Sequence, residues 1–284
     1  MLKYSESFNL IKSELNGLYE PDEAVAIAHT LLEHITALTK LQRLTNKDSR
    51  LSAEQEAFLK NGITRLLNGE PVQYITGEQW FMGQPYIVNK HVLIPRPETE
   101  ELVQWIVNEW KDSDSISILD IGSGSGCIPV SLKLQLPRAV VTSIDVSTDA
   151  LTVARRNAEA PGVAVDFRLL DFLKEENWEG LGNYDIIVSN PPYIPFSYKD
   201  TLDRNVRDFE PEVALFVPDG DPLLFYRKIA AFGHTHLSSG GQIYCEVHAD
   251  HAVETKLVFD SAGYGDVLLK EDMYGKDRMV RAGR

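Results

Sequence analysis

Hydrophobic positions change their period twice along this chain. Val25, Ala28, Leu32 and Ile35 recur at intervals of three or four, reinforced by Leu31 and Leu38. That spacing lines one face of a helix, and over the first seventy residues it predicts a small helical bundle. Ser52-Ala-Glu-Gln55 has the form of a capping box, and the helix it opens should end where Asn68-Gly69 precedes Pro71. From Gly69 to Glu101 the repeat shortens to Gln73-Tyr-Ile, Trp80-Phe, Tyr86-Ile-Val and Val92-Leu-Ile, punctuated by Gly77, Gly83 and Pro85. These alternations predict a β-hairpin linker. A helix should then run from near Glu98 to Lys111, with Glu98 and Glu100 suiting its positive N-terminal end.

Beyond residue 115, short apolar runs alternate with helical ones. Strands are expected at Ile116–Asp120, Val140–Asp145, Val165–Leu169, Ile186–Ser189 and Gln242–Val247. Helices fall between them, up to Leu136 and over Asp149–Ala160, Leu223–Thr235 and Val253–Ala262. This order implies a doubly wound parallel sheet of the α/β class. Asp266–Leu269 and Arg278–Arg281, enclosing Tyr274-Gly275, suit a closing antiparallel hairpin. The expected organisation is a helical unit over 1–72, a hairpin linker over 73–96 and an α/β domain over 97–284.

Composition narrows the classes. With 284 residues, 43% hydrophobic and 25% charged, the chain has the balance of a soluble globular protein with room for one large domain and one small one. Met1-Leu-Lys-Tyr-Ser-Glu-Ser-Phe8 carries charges and hydroxyls where a secretory signal would be apolar, and no stretch approaches a membrane span, so a cytoplasmic protein with no membrane partner is expected. Cys127 and Cys245 form no CxxC pair and read as small buried hydrophobes. The net charge of -14 is concentrated after residue 74, where 32 acidic residues face 20 basic ones. This balance argues against a stable nucleic-acid partner, which would require a basic face.

The chemistry-bearing residues cluster at expected strand ends. Asn190-Pro191-Pro192-Tyr193 closes the run Tyr184–Ser189, fixing a short amide at the mouth of a buried strand. An amide or exocyclic amine nitrogen is a poor nucleophile because its lone pair is delocalised. Asn190 Oδ1 and the Pro191 carbonyl can offset this by accepting its two hydrogens, with Pro-Pro stiffening the exit and Tyr193 offering a flat face. Taken alone, the tetrapeptide is equally a turn capped by a core tyrosine.

Gly122, Ser123, Gly124, Ser125 and Gly126 follow the first strand of the α/β region directly, and three glycines at alternate positions let the backbone approach a ligand. Cys127 breaks the dinucleotide fingerprint. Asp145 ends the next strand, where a carboxylate accepts ribose hydroxyls; Asp145 or Ser147 could instead merely start the following helix. Asp171 and Phe172, after the third strand, would place a carboxylate by an adenine amine and a ring beside its plane, or form a turn and a core ring. Together these residues suit S-adenosylmethionine.

At this point the sequence resembles the HemK/PrmC family of release-factor glutamine methyltransferases across nearly its whole length. Gly69-Glu-Pro-Val-Gln-Tyr-Ile-Thr-Gly77, Phe81-Met-Gly83, Val92-Leu-Ile-Pro-Arg-Pro-Glu-Thr-Glu100, Asp120-Ile-Gly-Ser-Gly-Ser-Gly126 and Val188-Ser-Asn-Pro-Pro-Tyr-Ile194 carry the resemblance. It implies a helical N-terminal domain that helps hold the release factor, a hairpin linker and a seven-stranded class I (Rossmann-like) methyltransferase domain. It implies methyl transfer to the side-chain nitrogen of the glutamine in a Gly-Gly-Gln loop, with Gly122 to Gly126, Asp145 and Phe172 on the cofactor and Asn190 to Tyr193 on the glutamine.

The sequence departs from the family pattern at Phe216–Pro222 and at Glu246-Val-His248-Ala-Asp-His251. A glutamine of a ribosomal protein is the nearest rival substrate, and Pro97-Glu-Thr-Glu100 favours the release factor. Adenine methylation would need base flipping and phosphate contacts, which the acids interleaved with Lys199, Arg204 and Arg207 disfavour. His234-x-His236 and His248-x-x-His251 lack accompanying cysteines, and no metal site is expected.

Overall fold

The computed structural model describes residues Met1–Arg284 and divides into two compact units. One comprises Met1–Glu78 with Asp203–Phe209, the other Gln79–Leu202 with Glu210–Arg284. The segment 73–96 read as a linker is thus divided at Glu78, and residues 203–209 group with the first unit.

The smaller unit holds α1 (Tyr4–Leu15), α2 (Pro21–Thr36), α3 (Lys40–Thr45), α4 (Ala53–Leu67), α5 (Val72–Thr76) and, from the later segment, α9 (Arg204–Phe209). Of the predicted face of α2, Ala28, Leu31 and Leu32 are buried against Ile11, Leu15, Leu59 and Leu66, whereas Val25 and Ile35 are only partly buried and Ala24 and Ile27 complete the core-facing stripe. Ser52 and Gln55 form the expected capping box on α4. Two expectations fail. Leu38 lies beyond α2, which stops where Ala37 turns left-handed. Residues 73–75 are helical rather than extended: Pro71 sets the N-cap, Gly77 closes the turn at φ 76°, and Val72, Tyr74 and Ile75 all reach the core.

β1 (Glu78–Phe81), which begins at the last residue of the smaller unit's first segment, and β2 (Gln84–Ile87) form the expected hairpin. Met82 and Gly83 both take positive φ, the condition for a tight turn matching strand twist. Residues 92–94, expected as a strand, pair with no strand. The Ile94 N–H instead donates to Glu210 Oε2 at 3.1 Å.

The chain continues through α6 (Pro97–Trp110), β3 (Ser117–Ile121), α7 (Cys127–Gln135), β4 (Val140–Asp145), α8 (Thr148–Glu159), β5 (Asp166–Leu169), β6 (Tyr184–Ser189) and β7 (Ile194–Pro195). It then passes α10 (Glu212–Leu215), β8 (Phe216–Val217), α11 (Leu224–His236), β9 (Leu237–Glu246), α12 (Ala252–Ser261), β10 (Gly265–Glu271) and β11 (Asp277–Gly283).

Seven strands form one sheet in the order β10-β11-β9-β6-β3-β4-β5. β3, β4, β5, β6 and β9 are parallel, while β11 and β10 close the edge antiparallel, as their spacing predicted. Ile118, Ile186 and Val188 point to one buried face of the sheet; Leu119, Ile187 and Ile243 point to the other. From β3 the chain moves outward through β4 and β5, then returns to lay β6 on β3's other side. This reversal opens a crevice at the carboxyl ends of β3 and β6.

Candidate active site

The parallel register of β3 and β6 pairs Ile121 with Ser189, so Gly122 and Asn190 leave the sheet as neighbours. The Ser189 hydroxyl donates to the Ile121 carbonyl at 2.6 Å, fastening the two exits. A cavity of about 360 Å³ lies above them, lined by Gly122 to Ser125, Asp145, Asp171, Phe172, Asn190, Pro191 and Pro192.

The glycine loop is held by backbone. Gly122 and Ser123 N–H both donate to the Ile144 carbonyl, at 2.9 and 3.0 Å. All three glycines take positive φ. A Cβ on Gly122 or Gly124 would meet no protein atom within 4 Å, whereas one on Gly126 would meet Ala154 at 3.1 Å. The first two therefore leave room for a ligand, and the third serves close packing on α8. From α8, Asn157 donates to the Ser125 and Ile87 carbonyls at 2.8 and 2.9 Å. It also accepts the Ile87 N–H at 2.7 Å.

Asp145 Oδ2 accepts the Gly124 N–H at 2.9 Å and Oδ1 the Ser147 N–H at 2.8 Å. Burial pushes this carboxyl up, and these N–H groups oppose the shift. Ser147, accepting from Ala150 N–H, is the N-cap of α8, which leaves Asp145 as a rim carboxylate. Beneath the loop, Asp120 is fully buried and its carboxyl is pushed up to about 8 by desolvation. One of its oxygens accepts from Ser143 at 2.6 Å, and the other has no partner.

Asp171 combines both readings of its sequence position. It lines the cavity, accepts the Leu173 N–H and pairs with Lys174 at 3.2 Å. Phe172 likewise lines the cavity while stacking on Trp178, centroids 5.4 Å apart, and meeting Phe232 edge-on.

Tyr193 is set back from this group and does not line the cavity. Its hydroxyl donates to Glu246 Oε1 at 3.2 Å, and its ring meets His248 edge-on. His248 and His251 stand with centroids 5.7 Å apart, and no group of three or more His, Cys, Asp or Glu is arranged to hold a metal.

Sequence reasoning missed several supporting groups. His91, Val92 and Pro95 line the cavity, as do Arg96, Thr99, Val213 and Ala214. Glu210 is buried, paired with Arg96 and bonded to Ile94 N–H. The sequence displays Glu210-Pro211 and the arginine of Pro95-Arg96-Pro97, but the two lie 114 positions apart and no local pattern pairs them.

The sequence matches the PrmC N-terminal domain over residues 8–77 and the Methyltransferase small domain over residues 99–205. A release factor glutamine methyltransferase of Bacteroides thetaiotaomicron is 42% identical over 274 residues, covering 96% of this chain and 98% of that protein. One from Flavobacterium psychrophilum is 40% identical over 270 residues, 94% of each. Among solved structures, the hMettl16 catalytic domain in complex with MAT2A 3'UTR hairpin 6 aligns with a TM-score of 0.55 at 16% identity. That alignment covers 82% of this chain and 81% of that one, a likeness of fold.

Proposed function

The chain belongs to the release factor glutamine methyltransferase family, and on that premise we propose that the crevice above β3 and β6 binds S-adenosylmethionine and the side chain of a release-factor glutamine together. The seven-stranded sheet is that of a class I methyltransferase. One observation carries the assignment of the site: Asn190, Pro191 and Pro192 line the same cavity as Gly122 and Gly124. A backbone-lined face and an amide-bearing face thus confront each other across one space.

The residues fit the cofactor. Gly122 and Gly124 have no atoms where side chains would stand, and Asp145 has lone pairs left for ribose hydroxyls. Asp171 and Phe172 stand on the adjoining wall. When bound, S-adenosylmethionine supplies an electrophilic methyl group. Asn190 Oδ1 and the Pro191 carbonyl accept the two hydrogens of the glutamine amide, drawing its lone pair out of conjugation and fixing the nitrogen's direction. Pro191 and Pro192 hold both acceptors at a stiff strand exit, so little reorganises during the reaction. Transfer of the methyl group would break its bond to sulfur and leave S-adenosylhomocysteine, and the N-alkylated amide cation, being strongly acidic, would lose its proton to water.

Incubation with labelled S-adenosylmethionine and, separately, release factors, a ribosomal protein and DNA tests the substrate. Label on the glutamine of the Gly-Gly-Gln loop, located by peptide mass, is the expected result. Label confined to the ribosomal protein or to adenine would overturn it.

A further inference from the structure

Register sets Glu246 beside the proposed acceptor. Ser189 on β6 pairs with Cys245 on β9, so the next residue of each strand, Asn190 and Glu246, leaves the sheet side by side. Between them stands Thr99, in the first turn of α6. Its Oγ1 accepts from Asn190 Nδ2 at 3.1 Å and donates to Glu246 Oε2 at 2.6 Å. Glu246 Oε1 takes the Tyr193 hydroxyl at 3.2 Å. Thr99 and Glu246 are both only 2% exposed, so water does not compete for these bonds.

The bonds run from Asn190 through Thr99 to Glu246. With Glu246 ionised the carboxylate only accepts, so Thr99 spends its one hydrogen on it. The remaining lone pairs of Thr99 then require a donor, and the Asn190 amide has a donor only on its nitrogen. Its Nδ2 is therefore turned to Thr99, which leaves Oδ1 for a ligand. Burial, the largest influence, and the nearby charge of Glu98 hold the Glu246 carboxyl above the usual carboxylate range, and the Thr99 hydrogen bond, the charge of Arg278 and the Tyr193 hydroxyl oppose that shift. A reversed amide would present NH₂ to an incoming NH₂, a donor facing a donor.

We propose that Thr99 and Glu246 are positioning residues that lock the Asn190 side-chain amide with its oxygen toward the substrate nitrogen. This rests on the reading of Asn190 as the acceptor for glutamine, and it gives the Pro97-Glu98-Thr99-Glu100 segment a task in turnover. Tyr193 then acts from behind the cavity, as a donor that keeps Glu246 an acceptor.

Steady-state kinetics on the full-length protein with release factor, together with calorimetric binding of S-adenosylmethionine, test this with Thr99→Val, Thr99→Ser and Asn190→Ala. Valine keeps the volume and removes the relay; serine restores the hydroxyl. Thr99→Val should lower kcat about 10- to 100-fold, leaving KM for the release factor and cofactor affinity within about threefold, and Thr99→Ser should recover most of the loss. Wild-type kcat in Thr99→Val, with Asn190→Ala inactive, overturns the relay and leaves the acceptor role standing. So does a loss in Thr99→Val that serine fails to restore. Wild-type turnover in Asn190→Ala removes the acceptor role itself, and the relay with it.

Discussion

Asp145 Oδ2 accepts the Gly124 N–H at 2.9 Å, tying the carboxylate that ends β4 to the crest of the glycine loop 21 positions earlier. Its other oxygen holds the Ser147 N–H at the start of α8. A single side chain thus braces the loop and lines the cavity in which we propose the ribose lies. Asp145→Ala removes both functions. We expect S-adenosylmethionine affinity to fall about 10- to 100-fold by calorimetry, the range for losing charged hydrogen bonds in a partly buried site. An unchanged Kd would remove Asp145 from the binding site.

The glycines separate into two roles that substitution can tell apart. Gly126→Ala meets positive φ and a contact with Ala154 at 3.1 Å, so it should cost about 2–4 kcal/mol of folding stability. Gly122→Ala meets positive φ in open space and should cost about 1–2 kcal/mol. Its methyl group, however, would occupy the cavity, and cofactor binding should suffer most. Urea midpoints and binding isotherms on both variants check the contrast; equal stability losses would contradict it.

Asn190→Ala takes away one of the two proposed acceptors without touching the glycine loop. Turnover should drop about 10²–10³-fold, the usual loss on deleting a preorganised polar group that stabilises the reacting atoms. Cofactor affinity should hardly change. Single-turnover rates set against equilibrium binding of S-adenosylmethionine distinguish this from a general loss of fold.

Asp120 makes stability depend on pH. Its carboxyl sits at about 8 in the fold against an ordinary 3.8, so the folded protein binds the extra proton more tightly than the unfolded chain. Its contribution is most favourable at low pH and is lost progressively as pH rises through that window. Asp120→Asn cannot ionise, so on moving from about pH 5 to about pH 8 the wild type should lose more stability than the variant. Parallel denaturation curves at both pH values decide the matter; identical losses would show that Asp120 does not titrate there.

Arg96 and Glu210 join the segment before α6 to the one before α10, and Glu210 is buried. Arg96→Ala leaves that carboxylate with the Ile94 N–H as its remaining hydrogen bond. About 2–3 kcal/mol of stability should be lost, somewhat below a fully buried pair because Arg96 is one-third exposed. A melting temperature equal to wild type would show that the pair is replaceable by water.

Local patterning decided much of this protein. The period of Ala28, Leu31 and Leu32 made a helix face, and apolar runs such as Ile186–Val188 made buried strands. Three alternate glycines permitted a close backbone approach, and all three take the positive φ that other residues rarely adopt. Such properties depend on a residue's near neighbours, so a single sequence displays them. The same local rule misread residues 73–75, whose short apolar run is compatible with either period until Pro71 and Gly77 close a helix around it.

Tertiary structure alone decided which groups became partners. Asn190 and Glu246 adjoin because β6 and β9 pair in parallel with a particular register, and Thr99 reaches both from a helix begun almost a hundred residues earlier. Glu210 found Arg96 across a similar span. A hydrogen bond holds only within about 3 Å, and strand order, which no local pattern encodes, determines which distant side chains come that close.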